Sequence, residues 1–205
     1  MCIRDSPCLA GKSASQIKQG PSVLNSNYNS KNGTSPTIND NDVLDLRETF
    51  IPYLGNSGAR NYPITIENDR GVCVVGGEFV QTVPLDDSWS EHYAHGNSSS
   101  ILFYYGAQNG LIQGAYTFNA HDSFRTARSD SSNLANKKSL VISGIWADYN
   151  RDDVIENESS IGGDITIKDS LMSTFVGFST RLKNQPANAR AGDTFTVDSV
   201  ILRME

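Results

Sequence analysis

The feature that most constrains this chain is a weak internal repeat. Four runs, LIQGAY (111–116), VISGIW (141–146), TIKDSL (166–171) and TVDSVI (196–201), share one order: an aliphatic residue, a polar one, then a small or acidic one. The aliphatic positions are Ile112, Ile142, Ile167 and Val197, separated by 30, 25 and 30 residues. CVVGGE, with Val75 in the matching place, stands 37 residues earlier and is followed by a long insertion. Steps of this size suit one turn of a solenoid with loops of variable length, and exceed the roughly 8–12 residues between strands of a sandwich. In such a stack each strand pairs with the coils above and below at about 4.8 Å, and one apolar side faces inward. Ile112, Ile142, Ile167 and Val197 are therefore expected to form a buried ladder. The alternative is a jelly-roll β-sandwich whose strands are alike by chance.

The chain changes texture along its length. Met1 to Ser6, MCIRDS, reads as the translated end of a sequencing adapter and is excluded from fold reasoning. Residues 7–42 are rich in Ser, Asn, Gly and Lys with few large apolar side chains, which predicts a linker or disordered segment. Residues 43–61 open with VLDLRETFIPY, a lead-in that covers one end of the core as a short helix or strand. From Tyr62 to Glu205, short runs rich in Val, Ile, Phe, Tyr and Thr alternate with Gly, Asn and Asp turns, a β signature with no convincing helix. ITIENDRGVCVVGG and ILFYYGAQNGLIQGA both read strand, Gly-containing turn, strand, as two sides of one coil would. The expectation is an all-β, right-handed parallel β-helix of about four or five coils over 62–205, truncated at both ends because FTVDSVILRME lacks a polar cap.

Charge excludes one class of partner. Seventeen basic against 23 acidic residues give a net charge of −6, where a nucleic-acid surface would be basic. No apolar run is long enough to span a bilayer. Cys2, Cys8 and Cys73 have no metal spacing and no paired framework, so Cys73, inside VCVV, reads as a small buried hydrophobe and the redox compartment is left open.

The densest polar stretch is YNRDDVIENE (149–158). Asp148, Asn150 and Asp152 match the opening of an EF-hand loop, but Asp153 replaces its turn glycine and Ser159 its bidentate acid. Calcium held across coils by Asp122, Asp152 and Asp153 is the better form of that idea. Gly114 to Asp122 and Gly144 to Asp152 are both eight positions, which stacks the two aspartates on successive coils. Carboxylates that close cannot both ionise freely, so one pKa should rise. In a regular strand Asp152 and Asp153 would point to opposite faces, so they require a turn, a bulge or a buried partner such as Arg125, Arg151 or Arg181. The plain alternative is structural, with stacked Asp and Asn side chains capping turn amides.

ISGIWADYNRDDVIENE followed by GDITIKDSLMSTFVGFSTR resembles right-handed parallel β-helix proteins of the pectate-lyase-like superfamily, over roughly Leu111 to Arg181. A looser likeness is to polygalacturonases, whose Asn-Thr-Asp turn, Asp-Asp pair and Gly-His-Gly turn correspond to Ala120-His121-Asp122, Asp152-Asp153 and Val176-Gly177-Phe178. The three aspartates have counterparts; the Gly-His-Gly histidine and the family's final lysine do not. The resemblance implies Asp152 as general acid, and Asp122 with Asp153 as bases activating water. It further implies an extracellular or cell-wall polysaccharide as partner, and a glycoside hydrolase or polysaccharide lyase that is secreted or on the cell surface. Calcium is a possible cofactor, as in pectate lyases. Around these carboxylates, His121 is a candidate proton shuttle. Arg125, Arg128, Arg151 and Arg181 are candidates to meet uronate carboxylates or the aspartates themselves. Trp89 and Tyr93, in the insertion WSEHYAHGN, have the character of a sugar-binding loop, and His92 and His95 there have metal-like spacing without a visible third ligand. The alternative function is a non-catalytic glycan-binding adhesin of the surface or phage-tailspike kind. Oligomeric state is not legible.

Overall fold

The computed structural model describes residues 6–31, 35–54, 62–104, 107–127, 139–157, 164–179 and 193–205. They form an all-β chain in which every described strand pairing is parallel. The first sheet is built from β1 (Ile17–Gln19), β3 (Val43–Tyr53), β5 (Cys73–Gln81), β7 (Gly110–Gln113), β8 (Tyr116–Phe118), β10 (Leu140–Ser143), β11 (Trp146–Asn150), β13 (Ile165–Thr174) and β15 (Phe195–Met204). The second holds β2 (Tyr28–Asn29), β4 (Ile64–Glu67), β6 (Ser99–Tyr104), β9 (Asp122–Ala127), β12 (Asp153–Glu156) and β14 (Gly177–Ser179). The chain visits the sheets in alternation, and each visit lands beside the previous one. An antiparallel jelly roll has no place for such pairing.

Left-handed corners account for the repeat seen in the sequence. Gly76, Gly114, Gly144, Asp169 and Ser199 each stand two positions after Val74, Ile112, Ile142, Ile167 and Val197, with φ between 52° and 75°. From β5 onward the first sheet bends there at every passage, so the position takes glycine or a short polar side chain that tolerates left-handed backbone. At Gly76 a Cβ would also lie 2.5 Å from the Cα of Arg47. The matching residue of β5 is thus Val74, which registers with Ile112, rather than Val75, which registers with Gln113. Two glycines at this corner, Gly76 and Gly77, make the sequence match slip by one.

Three stacks fill the interior. Leu44, Val74, Ile112, Ile142 and Ile167 are in register and buried, while Val197, on the edge strand β15, is half exposed. Ile51, Phe79, Thr117, Ala147 and Met172 form the second stack. Ile64, Ile101, Phe124 and Ile155 form the third, with Phe178 packed against it. Each fully buried aliphatic or aromatic side chain contributes about 1.5–3 kcal/mol of transfer free energy.

Three sequence expectations change. The segment read as linker carries β1 and β2, which pair with β3 and β4 respectively, so backbone hydrogen bonds to those strands supplement their few apolar side chains. VLDLRETFIPY is not an end cap but the strand β3, flanked by β1 and β5. Cys73 is buried beside Val43 and Val75, yet it is also joined to Cys8 in a disulfide with Cα atoms 5.8 Å apart.

The insertion after β5 contains a helix that the β signature concealed, α1 (Trp89–Gly96). Ser88 caps it: its hydroxyl accepts from the Glu91 amide, and the Glu91 carboxylate accepts from the Ser88 amide. This reciprocal capping box nucleates a two-turn helix that has little intrinsic stability of its own. Gln81 and Asn119 hold the insertion down, through the Gly96 and Val83 carbonyls respectively.

Candidate functional site

A second pair of left-handed corners leads into the acidic motif. Asn119 and Tyr149 both have φ of 53°, and each is followed two residues later by the segment of interest, His121-Asp122 and Arg151-Asp152. The backbones stack: the Arg151 amide donates to the Ala120 carbonyl at 2.8 Å and the Asp152 amide to the His121 carbonyl at 2.9 Å. Register then slips. Trp146 pairs with Tyr116, an offset of 30, whereas Ile155 pairs with Phe124, an offset of 31. The extra residue is absorbed between β11 and β12, where Arg151 and Asp152 form a bend. This bulge resolves the difficulty posed by adjacent aspartates in a strand.

The slip separates the three aspartates. Asp122 is 2% exposed and Asp153 is 5% exposed, whereas the Asp152 side chain is 19% exposed. They do not share one open face. Asp122 accepts from the Ser99 hydroxyl and from the Asp153 amide, both at 3.4 Å. Burial, followed by the neighbouring Glu156 carboxyl, raises the Asp122 pKa well above the ordinary carboxylate range. The stacked pair was expected to contain one raised carboxyl; it is the inner one, Asp122, whose burial keeps it from the solvent side.

His121 joins the outer aspartate to α1. Its Nε2 lies 3.4 Å from Asp152 Oδ2, and its Nδ1 lies 3.2 Å from Nδ1 of His92. The two imidazoles stack with centroids 5.4 Å apart. His92 Nε2 in turn meets the Asn119 carbonyl at 3.2 Å. Burial, then the charges of His121 and Arg151, lowers the His92 pKa to about 4, so this ring is neutral. Trp89 and Tyr93 stand over His121 with centroids 6.1 and 5.4 Å from it, and stack on each other at 5.2 Å. Both are about half exposed, at 46% and 47%.

The arginines are occupied elsewhere. Arg125 is buried and paired with Glu156. Arg151 is buried, donates to the Leu85 and Asp87 carbonyls, and lies 5.1 Å from the ring centroids of both Tyr149 and Phe175. It ties the insertion to the bulge rather than reaching outward. Arg128 and Arg181 lie outside the described residues. His95 pairs with Asp87 at 2.8 Å and takes no part in the His121 cluster.

Calcium does not fit this donor set. The EF-hand-like opening is split between strand β11 and the bend that follows, and Asn150 is engaged by Ser123 and by the Asp153 and His121 carbonyls. Across the stack, Asp122 is buried and the nearest further donor is an imidazole nitrogen, where calcium takes six to eight oxygens. His121, Asp122 and Asp152 each offer one atom, all within 4.8 Å of one another.

Sequence reasoning overlooked the supporting cast of Gln81, Ser99, Asn119 and Glu156, and read Asn150 only as part of a calcium loop. One signal was present: Asn119 and Tyr149 are 30 positions apart, the same offset as the strands that lead into them.

Comparison with known proteins adds no family. No family model, curated protein or solved structure matches this chain.

Proposed function

We propose that the two parallel sheets are faces of a right-handed parallel β-helix, and that the chain engages a polysaccharide at the aromatic pair of its inserted helix. The solenoid reading is supported by parallel pairing throughout and by crossovers of 25 to 30 residues between in-register strands. Right-handed connection is the rule for parallel crossovers. One observation carries the functional reading: Trp89 and Tyr93 are exposed, stacked and seated against His121, which pairs with Asp152. Flat aromatic faces beside a carboxylate provide the apolar platform and the hydrogen-bond acceptor that a sugar ring requires. Among the described residues no helix is long and apolar enough to cross a membrane. The Cys8–Cys73 bond suits an oxidising compartment, which agrees with a secreted or surface location.

Binding without turnover is the version that the carboxylates favour. Both classes of acid-catalysed hydrolysis use two carboxyl groups that reach the substrate, and here Asp152 alone of the three aspartates reaches solvent appreciably. The enzymatic reading, a hydrolase or lyase, rests on the His121–Asp152 pair, an acid–base couple at the foot of the aromatic platform. Retention of the chain on immobilised polysaccharides, scored together with release of reducing or unsaturated ends, decides between them. Retention without product is expected. Product lost in Asp152→Asn would favour the enzyme, and no retention on neutral or acidic glycans would sink both.

A further inference from the structure

We propose that the outer face of the first sheet is an interface between two copies of this chain, related by a two-fold axis that passes at Tyr116. The proposal goes beyond the glycan reading and does not depend on it.

One row of outward side chains crosses the first sheet. Val23 bridges to Phe50, Phe50 is in register with Glu78, and Glu78 is in register with Tyr116. Beyond Tyr116 the row continues through Trp146, Leu171 and Ile201. Every member is exposed except Tyr116, which is half-buried and meets the Trp146 ring edge to face, with centroids 5.2 Å apart. Six steps of about 4.8 Å make a strip about 29 Å long. Single apolar side chains are normal on a surface, whereas a contiguous strip of them marks a contact surface.

The order of residues along the strip selects a second copy as its occupant. Tyr116 is the middle member. Glu78, the single charge of the row, stands one step to one side of it. Trp146, the single N–H donor among the side chains, stands one step to the other. A two-fold axis lying between two facing sheets, along the strand direction at Tyr116, reverses the row. Glu78 then faces the indole of the copy's Trp146, which can only donate. Phe50 faces the copy's Leu171, and Val23 faces the copy's Ile201. Each apolar member thus meets an apolar one, and the carboxylate meets a donor. An axis along the stack would instead set Glu78 against its own counterpart, a like-charge contact. Facing sheets pack about 10 Å apart, a gap that side chains of this size fill.

A sugar chain fits the strip less well. The Tyr116 and Trp146 planes are inclined at 65°, so the two rings present no common flat face. The ends of the row are aliphatic and lack the polar groups that orient a sugar ring.

The oligomeric state of the full chain is measured by analytical ultracentrifugation over the micromolar range. A reversible dimer is expected. Trp146→Glu sets a carboxylate against Glu78 and should weaken the dimer at least about 30-fold, with an unchanged far-UV spectrum because the side chain is exposed. Trp146→Lys sets an ammonium in the same place and should weaken it much less. Adding Glu78→Lys to Trp146→Glu should restore the dimer, which a mere loss of apolar area would not allow. A monomer throughout the range overturns the proposal, as does equal dissociation in Trp146→Glu and Trp146→Lys. A monomer held on immobilised polysaccharide through Trp146 overturns it too, and assigns the strip to glycan. Trp89 and Tyr93 lie outside the row, so loss of the dimer leaves the aromatic platform of α1 untouched.

Discussion

Arg125 and Glu156 are register partners on adjacent strands, both buried, and joined as an ion pair. They sit one position beyond Phe124 and Ile155, so the apolar stack and the charged stack alternate along the same two strands. Removing one partner leaves the other charge desolvated. Glu156→Gln should therefore cost about 3–5 kcal/mol in denaturant unfolding, whereas Arg125→Met combined with Glu156→Leu should cost far less. Equal losses in the single and double variants would show that the pair's charges are not what matters.

The Cys8–Cys73 bond closes a loop spanning 65 positions. Cross-linking a loop of that length removes conformational freedom from the unfolded chain worth about 4 kcal/mol in the entropic account. Cys8→Ser, or reduction of the native chain, should lower the unfolding free energy by about 2–4 kcal/mol. A free-thiol assay that finds three reactive cysteines in the oxidised, denatured chain would contradict the pairing.

Asp45 carries a pH dependence of known sign. Burial pushes its carboxyl up, but hydrogen bonds from Arg47 and Gln19 outweigh that and hold its pKa below the ordinary value. A carboxyl lowered on folding stabilises the fold above its unfolded pKa, and that contribution is lost as pH falls through the folded value. Wild type should exceed Asp45→Asn in stability near neutrality. The difference should shrink below about pH 4, and a gap that stays constant down to strongly acidic pH would refute the assignment.

Trp89 and Tyr93 are half exposed on a short helix, so replacing them tests binding with little effect on folding. Trp89→Ala should change stability by no more than about 0.5 kcal/mol while abolishing retention on the polysaccharide. Affinity chromatography beside thermal unfolding separates the two effects, and unchanged retention would remove the platform from the proposal.

Much of the parallel stack was legible because its corners recur in the sequence. Gly114, Gly144, Asp169 and Ser199 mark one bend per passage, and the aliphatic residue two positions earlier is the one buried at Ile112, Ile142 and Ile167. The first passages were hidden, because β1 and β2 are only three and two residues long and borrow their order from neighbouring strands. The helix could have been found from Ser88 and Glu91, whose spacing is a capping box. The cysteine pairing could not, since residues 65 positions apart meet only through the packing of Cys8 on the outer side of β5. In the candidate site the eight-residue spacing correctly set Asp152 near Asp122. Which aspartate would be left facing solvent depended on a one-residue shift that no composition or periodicity announces.

That shift has a consequence for how such a chain can change. Where successive passages pair without a shift, as β10 does with β7 and with β13, one passage matches the next residue for residue. The bulge between Tyr149 and Asp153 breaks that equivalence, giving two neighbouring carboxyls different addresses, one toward water and one toward the interior. A copied passage that lacks the extra residue would keep the architecture and lose the chemistry. The site is thus inherited with an insertion rather than with a motif.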